Sequence, residues 1–273
     1  MCIRPYLDVS KEKDIEDIFE DEFRSHIRKE EASSKEVFSI ATGLPIQFHD
    51  DGTPVFERAD LIRPPIPLPG VNNPVIYQNM ILPEHRALMP ECRFNMIVLP
   101  PKNEDVTRAW LGKSLEDPKT HLGFGRVLQA MDSTSRIILQ RMRREIPPRY
   151  GFIDDFIVLN MNQMQLAIVP PSYEVEIVNF GSRPARFFEL KAKEEVRDIG
   201  QIKELNGMGY VSKDDGGLEP NSNYSELPIP RFQPGLDQFK FLKKRPLYQM
   251  FTQYPKGFNF IDPPDLTFFH GAL

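Results

Sequence analysis

At 273 residues, with 40% hydrophobic and 27% charged residues, the chain can bury a sizeable core without disulfide or metal staples. Its net charge of −5 lacks the basic excess of a phosphate-backbone binder, so nucleic acid is not an expected ligand. The two cysteines, Cys2 and Cys92, form no CxxC, and no apolar run reaches the ~18 residues of a spanning helix, so a reducing, intracellular compartment and no transmembrane segment are expected.

From Val9 to Lys29 the residues Ile15, Ile18, Phe19, Phe23 and Ile27 recur on one helical face, with Asp14, Glu16, Asp17, Glu20, Asp21 and Glu22 around the rest. This predicts an amphipathic helix, docked on its own domain or on another chain. The stretch from Pro45 to Pro74 holds His49-Asp50-Asp51-Gly52 and the proline-rich run Pro64 to Gly70. Proline supplies no backbone donor, so an extended linker is expected, ending an N-terminal extension of residues 1–73.

Eight short apolar runs follow: Val75 to Leu82, Phe94 to Leu99, Arg126 to Met131, Arg136 to Met142, Asp155 to Met161, Gln165 to Pro170, Val175 to Gly181 and Ala185 to Lys191. Rich in Val, Ile and Phe and separated by turn residues, they predict an all-β sandwich or barrel over residues 74–226. Residues 227–273 form an aromatic and proline-rich tail with no visible helical or strand period. Ten of the 29 aromatics fall between Arg231 and Leu273, too much apolar area to leave in water. The tail therefore packs along its own barrel or along a partner, and Phe239, Phe241, Tyr248, Phe251, Tyr254, Phe258, Phe260, Phe268 and Phe269 are the candidate partner-binding residues.

The string VPPSYEVEIVNFGSRPARFFELK, from Val169 to Lys191, resembles the second motif of the archaeal-type, cupin-fold phosphoglucose isomerases. The likeness continues through Arg197 to Ile202, Gly209 to Val211, and Gly216 and Gly217, while Arg108 to Pro118 occupies the place of the first motif. The resemblance implies a mainly β, cupin-type double-stranded β-helix, a jelly-roll barrel, carrying an N-terminal helical extension and an extended C-terminal tail. In that family a Gly-His-x-His motif, a strand glutamate and a third histidine hold a divalent ion for sugar-phosphate isomerisation. Here the corresponding positions are Lys113 and Leu115 after Gly112, then Arg126 and Val175. None is a metal ligand: leucine and valine lack donor atoms, and the other two are cationic near neutral pH. The positions of the family's barrel tyrosine and later histidine fall on Lys191 and Arg197.

No other site replaces this one in the sequence. His26, His49, His85, His121 and His270 show no metal-ligand spacing, no nucleophile elbow or phosphate-cradling glycine loop occurs, and the pairs Asp50/Asp51 and Asp154/Asp155 would point to opposite strand faces. The expectation is a pseudoenzyme with no catalytic residue, metal or cofactor, acting as an accessory subunit of a larger protein assembly. Its partners would be other subunits, reached through the N-terminal helix and the tail, with a cupin-type dimer as a further expectation. Analogy extends the assembly to a mitochondrial complex, the cytoplasm being the other compartment. The alternative is a sugar-phosphate-binding or isomerase-like cupin with a metal-free basic pocket of Lys113, Arg126, Lys191 and Arg197.

Overall fold

The computed structural model describes residues 46–49, 53–56, 58, 61, 64–88, 90–116, 123–132, 135–143, 151–237 and 245–261. The expected N-terminal helix lies outside them, as do Phe239, Phe241, Phe268 and Phe269. The described chain runs through β1 (Ile46–Phe48), β2 (Pro54–Phe56), β3 (Ile66–Pro67), β4 (Gly70–Val71), β5 (Val75–Tyr77), β6 (Cys92–Leu99), β7 (Thr107–Trp110), β8 (Lys113–Ser114), β9 (Arg126–Ala130) and β10 (Ser135–Met142). It continues through β11 (Ile153–Met161), β12 (Leu166–Val169), β13 (Glu174–Asn179), β14 (Ala185–Ala192), β15 (Arg197–Asp198), α1 (Gly200–Glu204), β16 (Tyr210–Ser212), β17 (Leu218–Pro220), β18 (Arg231–Pro234) and α2 (Leu247–Gln253).

Two six-stranded sheets face each other, in the orders β18-β11-β10-β13-β7-β4 and β12-β9-β14-β6-β5-β3. All neighbours are antiparallel except β18, which runs parallel to β11. Each predicted run contains a strand. The first stops at Tyr77, before Asn79 takes a left-handed backbone (φ 57) and Met80 donates its N–H to Phe94 O.

The long apolar runs arise because the central strands are buried on both faces. Ile97, Leu99, Leu128, Ile137, Leu139, Val175, Ile177 and Phe187 fill the space between the sheets. Their strand neighbours turn outward: Phe94, Met96, Phe188 and Leu190 into one outer core, Ile138, Phe156 and Val178 into another. The first outer core is closed by Ile46 and Leu61 and by residues of α2, the second by Ile202, Met208 and Tyr224.

The sheets extend past the expected boundaries of 74 and 226, since β3, β4 and β18 all belong to them. After β18 the chain crosses from one sheet to the edge of the other, where Leu236 and Leu166 exchange backbone hydrogen bonds of 2.8 Å. A β-carbon on Gly235 at this crossing would lie 2.9 Å from the Gln165 side chain and Met161 Sδ.

The tail expectation is corrected for four aromatics. Tyr248, Phe251, Phe258 and Phe260 are buried in the chain's own outer core, and Tyr254 packs at its margin; side chains already covered offer no surface to a partner. The periodicity of α2, with Leu247, Tyr248, Met250 and Phe251 inward, spans seven residues, too few to register in an 11–18-residue window. Gln129 anchors the helix from β9: its Oε1 accepts from Leu247 N (2.7 Å), and its Nε2 donates to Arg245 O (3.0 Å) and Met164 O (3.2 Å).

Replacing Gln129 with alanine leaves buried backbone groups unpaired. Gln129→Ala is therefore expected to destabilise the fold by about 2 kcal/mol and to lose amide protection first in residues 245–254, as read by hydrogen-exchange mass spectrometry.

Candidate functional site

The side chains at the positions aligned with the isomerase ligands have different partners and no common set of metal donor atoms. Gly112 keeps the turn of the first motif at φ 65, where a β-carbon would sit 2.2 Å from Asp198 O. Beyond it, Lys113 reaches Gln201 Oε1 at 3.3 Å and Asp198 Oδ2 at 3.9 Å. Leu115 is 46% exposed. Val175 lies in the inter-sheet core, its carbonyl accepting from Leu111 N.

Arg126, Lys191 and Arg197 are brought together. Arg126 and Lys191 are register partners on β9 and β14. The Arg126 guanidinium donates through Nε to Glu195 Oε1, both side chains being at most 1% exposed, and Nη1 lies 3.4 Å from Leu111 O. Lys191 Nζ donates to Glu195 O at 3.0 Å and lies 3.2 Å from Glu195 Oε2. Arg197 Nη2 donates to Glu189 Oε2, which also accepts from Asn95 Nδ2 at 2.7 Å.

The expected basic pocket is thus corrected to an ion-paired cluster: three cations face two buried carboxylates, with one positive charge in excess, while Lys113 pairs with Asp198. Burial opposes ionisation of Glu189, but Arg197, Arg126 and Lys191 hold its carboxyl below the usual range. Burial lowers Lys191, and Glu195 and Glu189 oppose the shift. Arg126 Nη2, Arg197 Nε and Glu189 Oε1 have no hydrogen-bond partner among the described residues. Ion pairing therefore holds the cluster more than complete hydrogen bonding does.

Glu189 and Glu195 went unnoticed in the sequence. A signal for Glu189 was present in the strand beginning Ala185: Glu189 and Lys191 recur with period two on the face that Phe187 turns inward, so a charged pair was entering the interior.

A second polar group lies on the outer face of the first sheet. Gln140 Nε2 donates to Glu174 and to Tyr224 Oη (3.0 Å), while its Oε1 accepts from Gly209 N (2.8 Å). Nearby, fully buried Glu176 accepts from Trp110 Nε1 at 2.8 Å. Burial raises its carboxyl from 4.5 to about 7 against the pull of Arg108 and the Trp110 N–H.

Asp154 pairs with Arg141, whereas Asp155 binds Arg231 and Tyr173, as adjacent strand residues on opposite faces would. His85 Nδ1 is 2.9 Å from Tyr248 Oη. No group of three or more His, Cys, Asp or Glu side chains suited to a metal occurs among the described residues.

With this geometry, the family model for glucose-6-phosphate isomerase matches residues 126–228, from the start of β9 through the segment after β17. The fold is cupin-like. The match covers the second motif, α1 and the turns after it, and the likeness to phosphoglucose isomerase rests on that stretch.

Similar solved structures include a cupin-like protein from Thermotoga maritima, at 9% identity and TM-score 0.29, covering 51% of this chain and 87% of that one. A vicilin from Solanum melongena is 10% identical with TM-score 0.31, covering 49% and 29% respectively. A Bacillus subtilis oxalate decarboxylase is 11% identical with TM-score 0.30, covering 50% and 29%. The cupin-like chain thus spans under a third of the latter two proteins, and likenesses this remote assign no activity. No curated protein matches the sequence.

Two outcomes follow for the buried charges. Glu195→Ala strands Arg126 and Lys191 and is expected to cost about 3–5 kcal/mol in urea unfolding, whereas removing Glu226, the exposed partner of Arg143, leaves the midpoint nearly unchanged.

Glu176 has a folded value above its ordinary one, so the folded chain holds the proton more tightly. Its contribution is complete below about pH 4.5 and is lost as pH rises through about 7. Glu176→Gln is expected to match the parent near pH 4.5 and to exceed it by about 3 kcal/mol at pH 8, measured as paired unfolding curves.

Proposed function

We propose that this cupin-like chain is catalytically inactive and serves as an accessory structural subunit of a larger protein assembly. The observation that carries the reading is the ion-paired cluster around Arg126, Lys191 and Arg197, set where the resemblance expects a ligand-binding interior. A metal-free isomerase would need a general base beside the sugar carbons and cations free to take the phosphate. The mapped positions supply no base, and Glu189 and Glu195 already engage the three cations.

Partner contacts are assigned to Ile229 and Phe232, 88% and 58% exposed beside and on the edge strand β18, together with the tail aromatics Phe239, Phe241, Phe268 and Phe269. Apolar side chains presented beside an open strand edge suit a protein interface. The compartment suggested by analogy is the mitochondrion.

Native-source fractionation tests the reading, with co-migration of the chain and a constant set of subunits in the mitochondrial fraction as the expected result. On the purified chain, elemental analysis should find no stoichiometric divalent ion, and millimolar glucose 6-phosphate or fructose 6-phosphate should leave Tm unchanged. A bound ion or a Tm rise of several degrees would establish the sugar-phosphate reading instead.

A further inference from the structure

A groove of about 580 Å³ lies outside the buried charge cluster. Ile66, Ile81 and Cys92 give it an apolar floor, and Arg86, Arg93 and Lys193 line it with positive charge. No carboxylate lines it, and none of these three cationic side chains has a hydrogen-bond or ion-pair partner among the described residues. In the β6–β14 register Arg93 stands opposite Lys191 and Cys92 opposite Ala192. Arg93 and Lys193 are consequently diagonal neighbours on one face, about 7–8 Å apart at the backbone. Ile66 is 43% exposed, although it sits beside the buried Ile81. An apolar floor flanked by unpaired cations suits a segment with an apolar stripe and acidic flanks.

We infer that this groove is the docking site for the chain's own acidic N-terminal segment, residues 14–23. That stretch carries Asp14, Glu16, Asp17, Glu20, Asp21 and Glu22 with no intervening base, around the apolar set Ile15, Ile18, Phe19 and Phe23. Its pattern complements both parts of the groove. The described chain begins near one wall of the groove: Ile46 belongs to the same outer core as Ile81, which lines it. Residues 24–45 can span well over the ~50 Å that fifteen extended residues reach, so cis docking is within range. Docking pairs the acids with Arg86, Arg93 and Lys193 and covers Ile66.

Cys92, whose side chain lines the groove, provides the probe. In full-length protein carrying Cys2→Ser, the variants Ile18→Cys and Ser33→Cys are oxidised separately at low protein concentration, and disulfides to Cys92 are followed by non-reducing gels and peptide mass. Docking predicts that Ile18→Cys closes an intramolecular disulfide at least tenfold faster than Ser33→Cys. Either Arg93→Glu with Lys193→Glu, or Asp17→Lys with Glu20→Lys and Asp21→Lys, should remove that advantage. The second set changes only the acidic segment itself, so the test does not depend on the barrel tolerating the first. Equal rates for the two cysteines, a disulfide formed between chains, or an advantage that survives both charge reversals would overturn the inference.

Discussion

The buried contact between Arg126 and Glu195 organises one end of the fold. Arg126 begins β9, Glu195 follows β14, and Lys191 closes on the same carboxylate from within β14, so a single glutamate ties neighbouring strands to the chain that leaves them. Glu189 repeats the device one step further in, joining Arg197 of β15 to Asn95 of β6. Desolvating these groups is costly, and the cost is offset only while opposite charges remain in contact. The position of β15 against β8, and hence the turn held by Gly112, lies beside this arrangement.

Such a cluster is a different solution to the problem that a metal would pose in the same interior. Three imidazoles and a carboxylate converge on a cation; here cationic side chains converge on carboxylates, and the protein itself supplies both signs. A metal-binding interior keeps donor atoms available for exchange with a ligand. A cluster in which each charge is committed to a neighbour does not, and this physical difference supports reading the chain as a scaffold.

Much of the fold was legible because the central strands face apolar cores on both sides. That produces uninterrupted Val, Ile, Leu and Phe runs, and the runs beginning at Arg136 and Val175 fall almost residue for residue on β10 and β13. That Lys113, Leu115, Arg126 and Val175 stand at the positions of the family's ligands is an expectation drawn from the motif resemblance. The counter-charges were not legible, because Glu189 and Glu195 gain meaning only when β9 and β14 pair and bring Arg126 against Lys191. Helix α2 escaped detection for another reason: its seven residues are held by Gln129, 118 positions from Leu247 in the chain, and local sequence carries no trace of an anchor so distant.

The crossing at Gly235 also bears on how the molecule is made. β18 completes one sheet, Leu236 then stitches the edge of the other, and residues through Ile261 finish the outer core behind it. These contacts join residues 231–261 to strands made at least 70 residues earlier. A chain still emerging from the ribosome exposes the edge of β11 and the apolar back of the second sheet until those residues appear. The nascent sandwich must therefore keep that surface from unwanted pairing until residues 231–261 are made.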